Sequence, residues 1–324
     1  MIHCAIVGLG RWGRHLVQAS RGHDRLKIVR GVEPDMTAAQ GFCAEHDLDL
    51  TADLNAVLTD PAIDAVLLAT PHSLHPAQVI ACAAARKQVF CEKPLALHRV
   101  DAARMFAACR DSGVTLAVGH NRRFWPSMRA LREIVAGGEL GTTLHVEGHN
   151  SNENSQSITA GWRLSPDESP GGGLTGAGLH VLDAFVSMLG PVRRISAQLN
   201  SREQGPPPLD TAVLMMNFVN GVSGTLSTIR ATPFYWRVHV FGTSGSAEVL
   251  DETTLIRRTS GDKPKRHDYP AIDVLRAEID AFADAVEGKR PYPVTEAEVL
   301  ATLSAFEAAL RSMQSQGPVD CDAA

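Results

Sequence analysis

Near its start the chain runs Cys4-Ala5-Ile6-Val7, then Gly8-Leu9-Gly10-Arg11-Trp12-Gly13, then Arg14-His15-Leu16-Val17. The apolar run predicts a buried strand, the glycines a tight turn, and the residues beyond them a helix. Each glycine at this G-x-G-x-x-G spacing has a physical use. Gly8 permits the turn, Gly10 lets a pyrophosphate approach bare backbone, and Gly13 lets helix and strand pack closely. The helix start presents unpaired N–H groups and a positive dipole end to phosphates. A second apolar run, Ile28-Val29-Arg30-Gly31-Val32, ends in Glu33, twenty residues past Gly13. A carboxylate there accepts hydrogen bonds from ribose hydroxyls. Strand, turn, helix, strand and acid in that order predict a dinucleotide site made by Gly8, Leu9, Gly10, Arg11, Trp12, Gly13 and Glu33. The alternative is a glycine turn with a structural role only. Asp35, in the same loop, is either a second ribose contact or a turn residue after Pro34. The acidic pair would repel a 2′-phosphate, so NAD is expected ahead of NADP.

The bulk properties narrow the field. A length of 324 residues suggests two domains. A net charge of −5 implies no large basic surface, so no nucleic-acid partner is expected. No apolar run is long enough to span a bilayer, so no membrane partner is expected either. The first strand begins almost at once, which leaves no room for a cleavable signal and points to the cytoplasm. Cys4, Cys43, Cys82, Cys91, Cys109 and Cys321 are scattered without C-x-x-C spacing and read as reduced core residues. No histidine or cysteine cluster has zinc spacing, so no metal is expected.

Further along, strands are expected over 26–32, 63–69, 89–91 and 114–118, and helices over 36–46, 53–58, 76–86 and 100–109. Such alternation predicts an α/β Rossmann domain, a doubly wound parallel sheet, over residues 1–121. Ligands of such sheets bind beyond the carboxyl ends of the strands. Thr70-Pro71-His72, His75 and Glu92-Lys93 all follow strands, and they join the expected cofactor contacts. His72 and His75 have helix capping as the alternative. From His120 onward the pattern changes. Strands over 142–149, 192–199, 212–218, 224–229, 236–241 and 247–250 follow one another with a single helix, 179–189, among them. They predict an α+β domain with an antiparallel sheet over residues 122–324. Helices over 127–136, 274–287 and 295–313 complete it, the last free to pack back on the first domain. Gly205–Pro208 reads as a stiff loop and Gly261–Arg266 as a charged one.

Two stretches carry chemistry. Lys93, at the end of a parallel strand, points into the crevice; it can hold a substrate hydroxyl and pass a proton, with Glu92 setting its orientation. The alternative is a solvated surface lysine. His180 follows Gly171-Gly172-Gly173-Leu174-Thr175-Gly176-Ala177-Gly178-Leu179 at the start of an apolar helix. A histidine titrating near neutrality can take the proton an alcohol loses, and Asp183, one turn on, can orient the ring. The alternative is a satisfied core histidine.

Together these stretches resemble the glucose–fructose oxidoreductase and inositol dehydrogenase family, known as Gfo/Idh/MocA. The resemblance rests on the glycine turn with Trp12 in it, Ala69-Thr70-Pro71, Cys91-Glu92-Lys93-Pro94-Leu95-Ala96, Asn121-Arg122-Arg123-Phe124 with Pro126, and Gly138-Glu139-Leu140-Gly141. It continues through Trp162-Arg163, the glycine stretch with His180 and Asp183, and Gly242-Thr243-Ser244-Gly245-Ser246-Ala247-Glu248. It implies a large open, mostly antiparallel second sheet that makes a homodimer or homotetramer. It also implies NAD(P)-dependent oxidation of a hydroxyl on a sugar, cyclitol or related polyol. Lys93 would contact the hydroxyl and His180 would be the general base. Arg122, Trp162, Arg163 and Thr175 are the other expected substrate contacts. An indole packs on a sugar ring, and arginine binds hydroxyls or carboxylates; for Trp162 and Arg163 the alternative is a domain-interface contact.

Two positions depart from the family pattern. Gly176 stands where the family has an aspartate four residues before the histidine, and His72 stands where it often has asparagine. Both affect the common inositol or glucose specificity. A cyclic dihydrodiol is therefore an alternative substrate, and a non-catalytic dinucleotide-binding regulator an alternative function.

Overall fold

The computed structural model describes residues 1–158, 161–202 and 208–322. The stiff loop expected over Gly205–Pro208 lies, but for Pro208, outside the described residues. The chain divides into two compact units, Met1–Asn121 with Asp273–Glu296, and Arg122–Ile272 with Ala297–Ala324.

The first unit alternates β1 (Ile2–Val7), α1 (Arg11–Ser20), β2 (Leu26–Val32), α2 (Met36–Glu45), β3 (Asp49–Thr51), α3 (Leu54–Leu58), β4 (Ala65–Leu68), α4 (His75–Ala84), β5 (Gln88–Glu92), α5 (Arg99–Ser112) and β6 (Leu116–Gly119). All strand pairs are parallel, in the order β3-β2-β1-β4-β5-β6. The sheet therefore reverses its winding between β1 and β4, where a crevice opens at the carboxyl ends. Burial on both faces explains why β4 reads Ala-Val-Leu-Leu without a polar residue. The short edge strand β3 was not expected. Three polar-flanked residues carry no periodic signal, and only pairing with β2 makes them a strand.

The second unit begins with α6 (Pro126–Ala136) and β7 (Thr143–Asn152), then α7 (Leu179–Leu189), β8 (Val192–Ser201), β9 (Asp210–Phe218), β10 (Ser223–Arg230), β11 (Tyr235–Gly242), β12 (Gly245–Val249), β13 (Thr254–Thr259) and β14 (Lys265–Asp268). The helix α8 (Val274–Val286) returns to the first unit. Finally α9 (Glu296–Ser315), all but its first residue, and β15 (Val319–Asp320) belong to the second. The nine strands lie in the order β14-β13-β12-β11-β7-β10-β9-β8-β15. Every pair is antiparallel except β7 with β10. The end of the expected charged loop, Lys265 and Arg266, is instead the start of β14, because backbone pairing with β13 overrides its polar composition.

Within the first unit α8 is bound by charge and by packing. Arg276 donates to the carbonyls of Ala19, Arg21 and Gly22 at the end of α1, at 3.3, 3.0 and 3.4 Å. Arg25 meets Asp284 and Glu287 at 2.5 and 3.1 Å. Phe282 meets Phe90 of β5 edge to face, with centroids 5.8 Å apart.

The second sheet covers its helices with one face. On the other face, β7, β11, β12 and β13 carry a charged row. Arg237 pairs with Glu147 at 2.8 Å and Glu248 at 2.6 Å, and Arg258 pairs with Glu248 at 2.7 Å. His239 sits among them, 5% exposed, its Nδ1 accepting from Arg237 at 3.0 Å. Burial strips water from the charged ring and pushes its pKa down to about 4; Glu248 opposes this and Arg237 and Arg258 add to it. In the unfolded chain the ring titrates near its ordinary 6.5. Between those values the unfolded state binds a proton that the folded state refuses. The stability that the neutral ring allows is thus complete above the unfolded value and is lost as pH falls toward the folded one. Thermal melts of wild type and His239→Asn are expected to show this. The wild-type midpoint falls on acidification from about pH 6.5, and the variant's falls less steeply over the same range.

Candidate active site

The glycine turn fits a dinucleotide. Gly8 has φ +89°, and a Cβ there would lie 2.7 Å from the Ala69 carbonyl oxygen. A Cβ on Gly13 would lie 1.9 Å from the Gly8 carbonyl oxygen, so any side chain would drive α1 off the strand. Gly10 differs: nothing lies within 4 Å of where its Cβ would be. It is also the N-cap of α1, with no side chain capping the helix and no acidic residue in its first turn. That open backbone cradle is what a diphosphate needs. Arg11, exposed, begins the helix; Leu9 buries its side chain at 3% exposure and donates its N–H to Glu33 Oε2 at 2.8 Å. Glu33 thus fixes the turn with one oxygen at the end of β2. Asp35 caps α2, accepting from the Ala38 N–H at 3.2 Å.

A link between distant stretches appears beside the turn. The Trp12 indole N–H donates to Glu92 Oε1, and the Lys93 N–H donates to Glu92 Oε2 at 3.2 Å. Glu92 is 6% exposed, at the end of β5, and its carboxylate fills the space that a side chain on Gly119 of β6 would need. The dinucleotide turn and the lysine-bearing strand end therefore share one buried carboxylate. Lys93 is followed by a cis peptide bond to Pro94. His75 is fully buried, with Nδ1 3.0 Å from the Pro94 carbonyl oxygen and Nε2 3.1 Å from that of Thr70. Its ring braces the two loops that follow β4 and β5. The Thr70 hydroxyl donates to Gln78 Oε1 at 2.6 Å, and Pro71 leads into a tight turn, His72–Leu74, with the His72 ring 6.0 Å from that of His75.

In the second unit Leu174–Gly178 forms a widened, π-helical turn that leads directly into α7 and His180, 9% exposed. Such turns often mark functional sites. This one is fixed from several sides. Asp210 accepts from the Gly173 N–H at 2.9 Å and from Arg230 Nε at 2.7 Å. Asn150 of β7 donates to the Ala177 carbonyl at 2.8 Å. Thr175 is fully buried, its hydroxyl accepting from the Gly171 N–H at 3.1 Å. A Cβ on Gly178 would meet Thr228 Cγ2 at 2.7 Å, so the glycines let the turn lie close on the sheet. Asp183 is held by Arg123, which donates Nε and Nη2 to its two oxygens at 2.8 and 2.7 Å. Arg122 lies over the Trp125 ring, and the Arg163 guanidinium lies 4.2 Å from the Trp162 centroid. Sequence reading missed Arg123, Asp210 and Arg230, because each acts on a residue remote in the chain.

Gly176 alone in this turn is exposed, and nothing lies within 4 Å of a Cβ there. A side chain fits. Gly176→Asp is expected to fold with a melting midpoint at or slightly above wild type, since glycine loses more entropy on folding. The added carboxylate is expected to alter the ratio of kcat/KM among polyols, read from a substrate panel.

Among the described residues no group of histidine, cysteine, aspartate or glutamate side chains could hold a metal, and no helix is long and apolar enough to cross a membrane. Residues 2–120 match the family profile described as "Oxidoreductase family, NAD-binding Rossmann fold", and residues 128–248 match the GFO/IDH/MocA C-terminal domain. The chain is 29% identical over 334 residues to the uncharacterized oxidoreductase YrbE of Bacillus subtilis (strain 168), covering 98% of this chain and 96% of that one. It is 30% identical over 281 residues to the myo-inositol 2-dehydrogenase of Thermotoga maritima, covering 82% of each. The fold is also that of levoglucosan dehydrogenase, solved with NADH and L-sorbose, at TM-score 0.90 and 20% identity over 99% of each chain. The chain belongs to the Gfo/Idh/MocA family of oxidoreductases, and its first unit is that family's NAD-binding Rossmann fold.

Proposed function

We propose that the protein moves a hydride between NAD and a hydroxyl-bearing carbon of a sugar, cyclitol or related polyol. The observation that carries this reading is the shared carboxylate: Trp12, inside the dinucleotide turn, and Lys93 both bond to Glu92. Because the Lys93 bond is made by its backbone N–H, that arrangement fixes the strand end that carries the lysine beside the turn where a cofactor is held. Gly8–Gly13 receive the diphosphate and Glu33 the ribose, while Thr70, Pro71 and His72 face the same end of the sheet. Bound NAD supplies the hydride acceptor. Lys93 donates a hydrogen bond to the reacting oxygen, and His180 accepts the hydroxyl proton. Trp162, Arg163 and Thr175 shape the substrate side. The inositol dehydrogenase relative supports a cyclitol or sugar as the substrate class.

The test is NADH absorbance over a panel of inositols, sugars and dihydrodiols. Turnover of a polyol is expected. Tight NAD binding with no turnover of any alcohol would replace this reading with that of a regulator. We propose further that the second sheet makes a homodimer or homotetramer. Its open face exposes Val213 and Met215 on β9 at 46 and 60%, and Tyr235 on β11 at 48%. Light scattering with Met215→Lys is expected to give a smaller particle than wild type. All six cysteines are free thiols, which suits a reducing compartment such as the cytoplasm.

A further inference from the structure

Arg122 differs from the other enclosed arginines of its unit. Arg123 is paired with Asp183 and Glu298, Arg230 with Asp210, and Arg237 with Glu147 and Glu248. Among the described residues no carboxylate pairs with Arg122, and its buried Nε has no hydrogen-bond partner. Glu252 acts on it only through space. What surrounds it is aromatic. The guanidinium carbon lies 4.0 Å from the ring centroid of Trp125, 5.5 Å from that of Trp236 and 5.6 Å from that of Phe234. Trp125 and Trp236 are buried and meet edge to face at 5.1 Å, whereas Phe234 is 47% exposed. The cage is therefore closed by two indoles and open along its third wall.

A guanidinium partly withdrawn from water without an anion is held at a cost. Burial brings its pKa down to about 10, with Glu252 offsetting part of the effect, so the group remains charged at neutral pH. Aromatic faces offset part of that cost, because their quadrupoles attract a cation, but they satisfy none of the N–H donors. Stacked on Trp125, the planar fork keeps its edge available, and that edge matches the two oxygens of a carboxylate.

We infer that Arg122 is a carboxylate-recognition residue and that the alcohol oxidised is an acid, a sugar acid or related polyhydroxy acid, seated on the Trp125–Trp236–Phe234 cage. This rests on the hydroxyl-oxidising reading above and narrows its substrate class. A neutral polyol would leave the caged charge as it is, whereas a carboxylate would pair with it away from bulk water, where such a pair is stronger.

The experiment uses the enzyme with saturating NAD and matched probes. Gluconate, glucitol and glucitol 1-phosphate share a carbon chain and differ only at C1; galacturonate and galactose form a second set. Binding is read from indole fluorescence, since Trp125 and Trp236 wall the cage, and from the rise in Tm; NADH formation is recorded separately. An acid is expected to bind about 30-fold more tightly than its neutral partner, the size of a charge-assisted hydrogen bond. Arg122→Met is expected to lose that preference and Arg122→Lys to keep part of it; the lysine enzyme decides the matter should the methionine enzyme fail to fold. An acid bound no better than its neutral partner, an acid not bound at all, tightest binding of the phosphate, or an unchanged preference in the variants would overturn the assignment. NADH formation from none of the probes would count against hydroxyl oxidation, while the binding preference decides the carboxylate assignment by itself.

Discussion

Lys93→Met and His180→Ala are each expected to lower kcat by about 10²–10⁴-fold, the usual range for losing a positioned proton-transfer or hydrogen-bonding group. In both variants the fluorescence quenching of Trp12 by added NAD is expected to persist, because the glycine cradle and Glu33 are untouched. The two losses should not multiply. If both side chains act on one oxygen, removing the second after the first costs little more, since the geometry that both require has already gone. The acidic fall-off of kcat/KM is expected to vanish in His180→Ala and to persist in Lys93→Met, which separates proton acceptance from hydrogen-bond donation. Full turnover by either variant on the true substrate would remove that residue from the mechanism.

How much of this was legible in the sequence depends on distance along the chain. The βαβ turn was readable because Gly8, Gly10 and Gly13 act on their own neighbours, and because Glu33 ends the next strand. In the fold Glu33 spends one oxygen on the Leu9 N–H, so the same carboxylate shapes the turn that it would serve. Alternating hydrophobicity gave most strands of the second sheet, including the run over 212–218, which lies within β9 (Asp210–Phe218), where every second residue is buried. It could not give β3 or β14, whose residues become strands only by pairing. Nor could it show why Gly171–Gly178 is so rich in glycine. That requires Asp210 and Thr228, on strands far along the chain, to press against the turn. The same holds for His75, which composition allowed as a helix cap or a cofactor contact and which the fold uses to bridge two carbonyls.

Replacing Arg123 with methionine is expected to destabilise the protein by about 3–5 kcal/mol, the cost of leaving a buried carboxylate without its partner. Arg123 and Asp183 are 2% and 1% exposed at their side chains, and they are joined by two hydrogen bonds at 2.8 and 2.7 Å. Glu298 adds a third contact to the guanidinium at 2.9 Å. Burial alone would pull the Arg123 pKa down; Asp183 and Glu298 outweigh it and hold the group above its ordinary value. Asp183→Asn keeps the shape and removes the charge, so it should lose less than Asp183→Ala. Arg123→Met combined with Asp183→Leu should recover much of the single-variant loss, because no buried charge then remains unpaired. Urea titrations of wild type, Arg123→Met, Asp183→Leu and the double variant measure this, and additive losses in the double variant would mean that the pair is not a unit. The pair joins the turn that carries Arg122 to the helix that opens with Leu179 and His180. A stable double variant is therefore expected to fold well and turn over poorly. The apolar pair fills the volume but does not set the angle between that turn and that helix, as two parallel hydrogen bonds do.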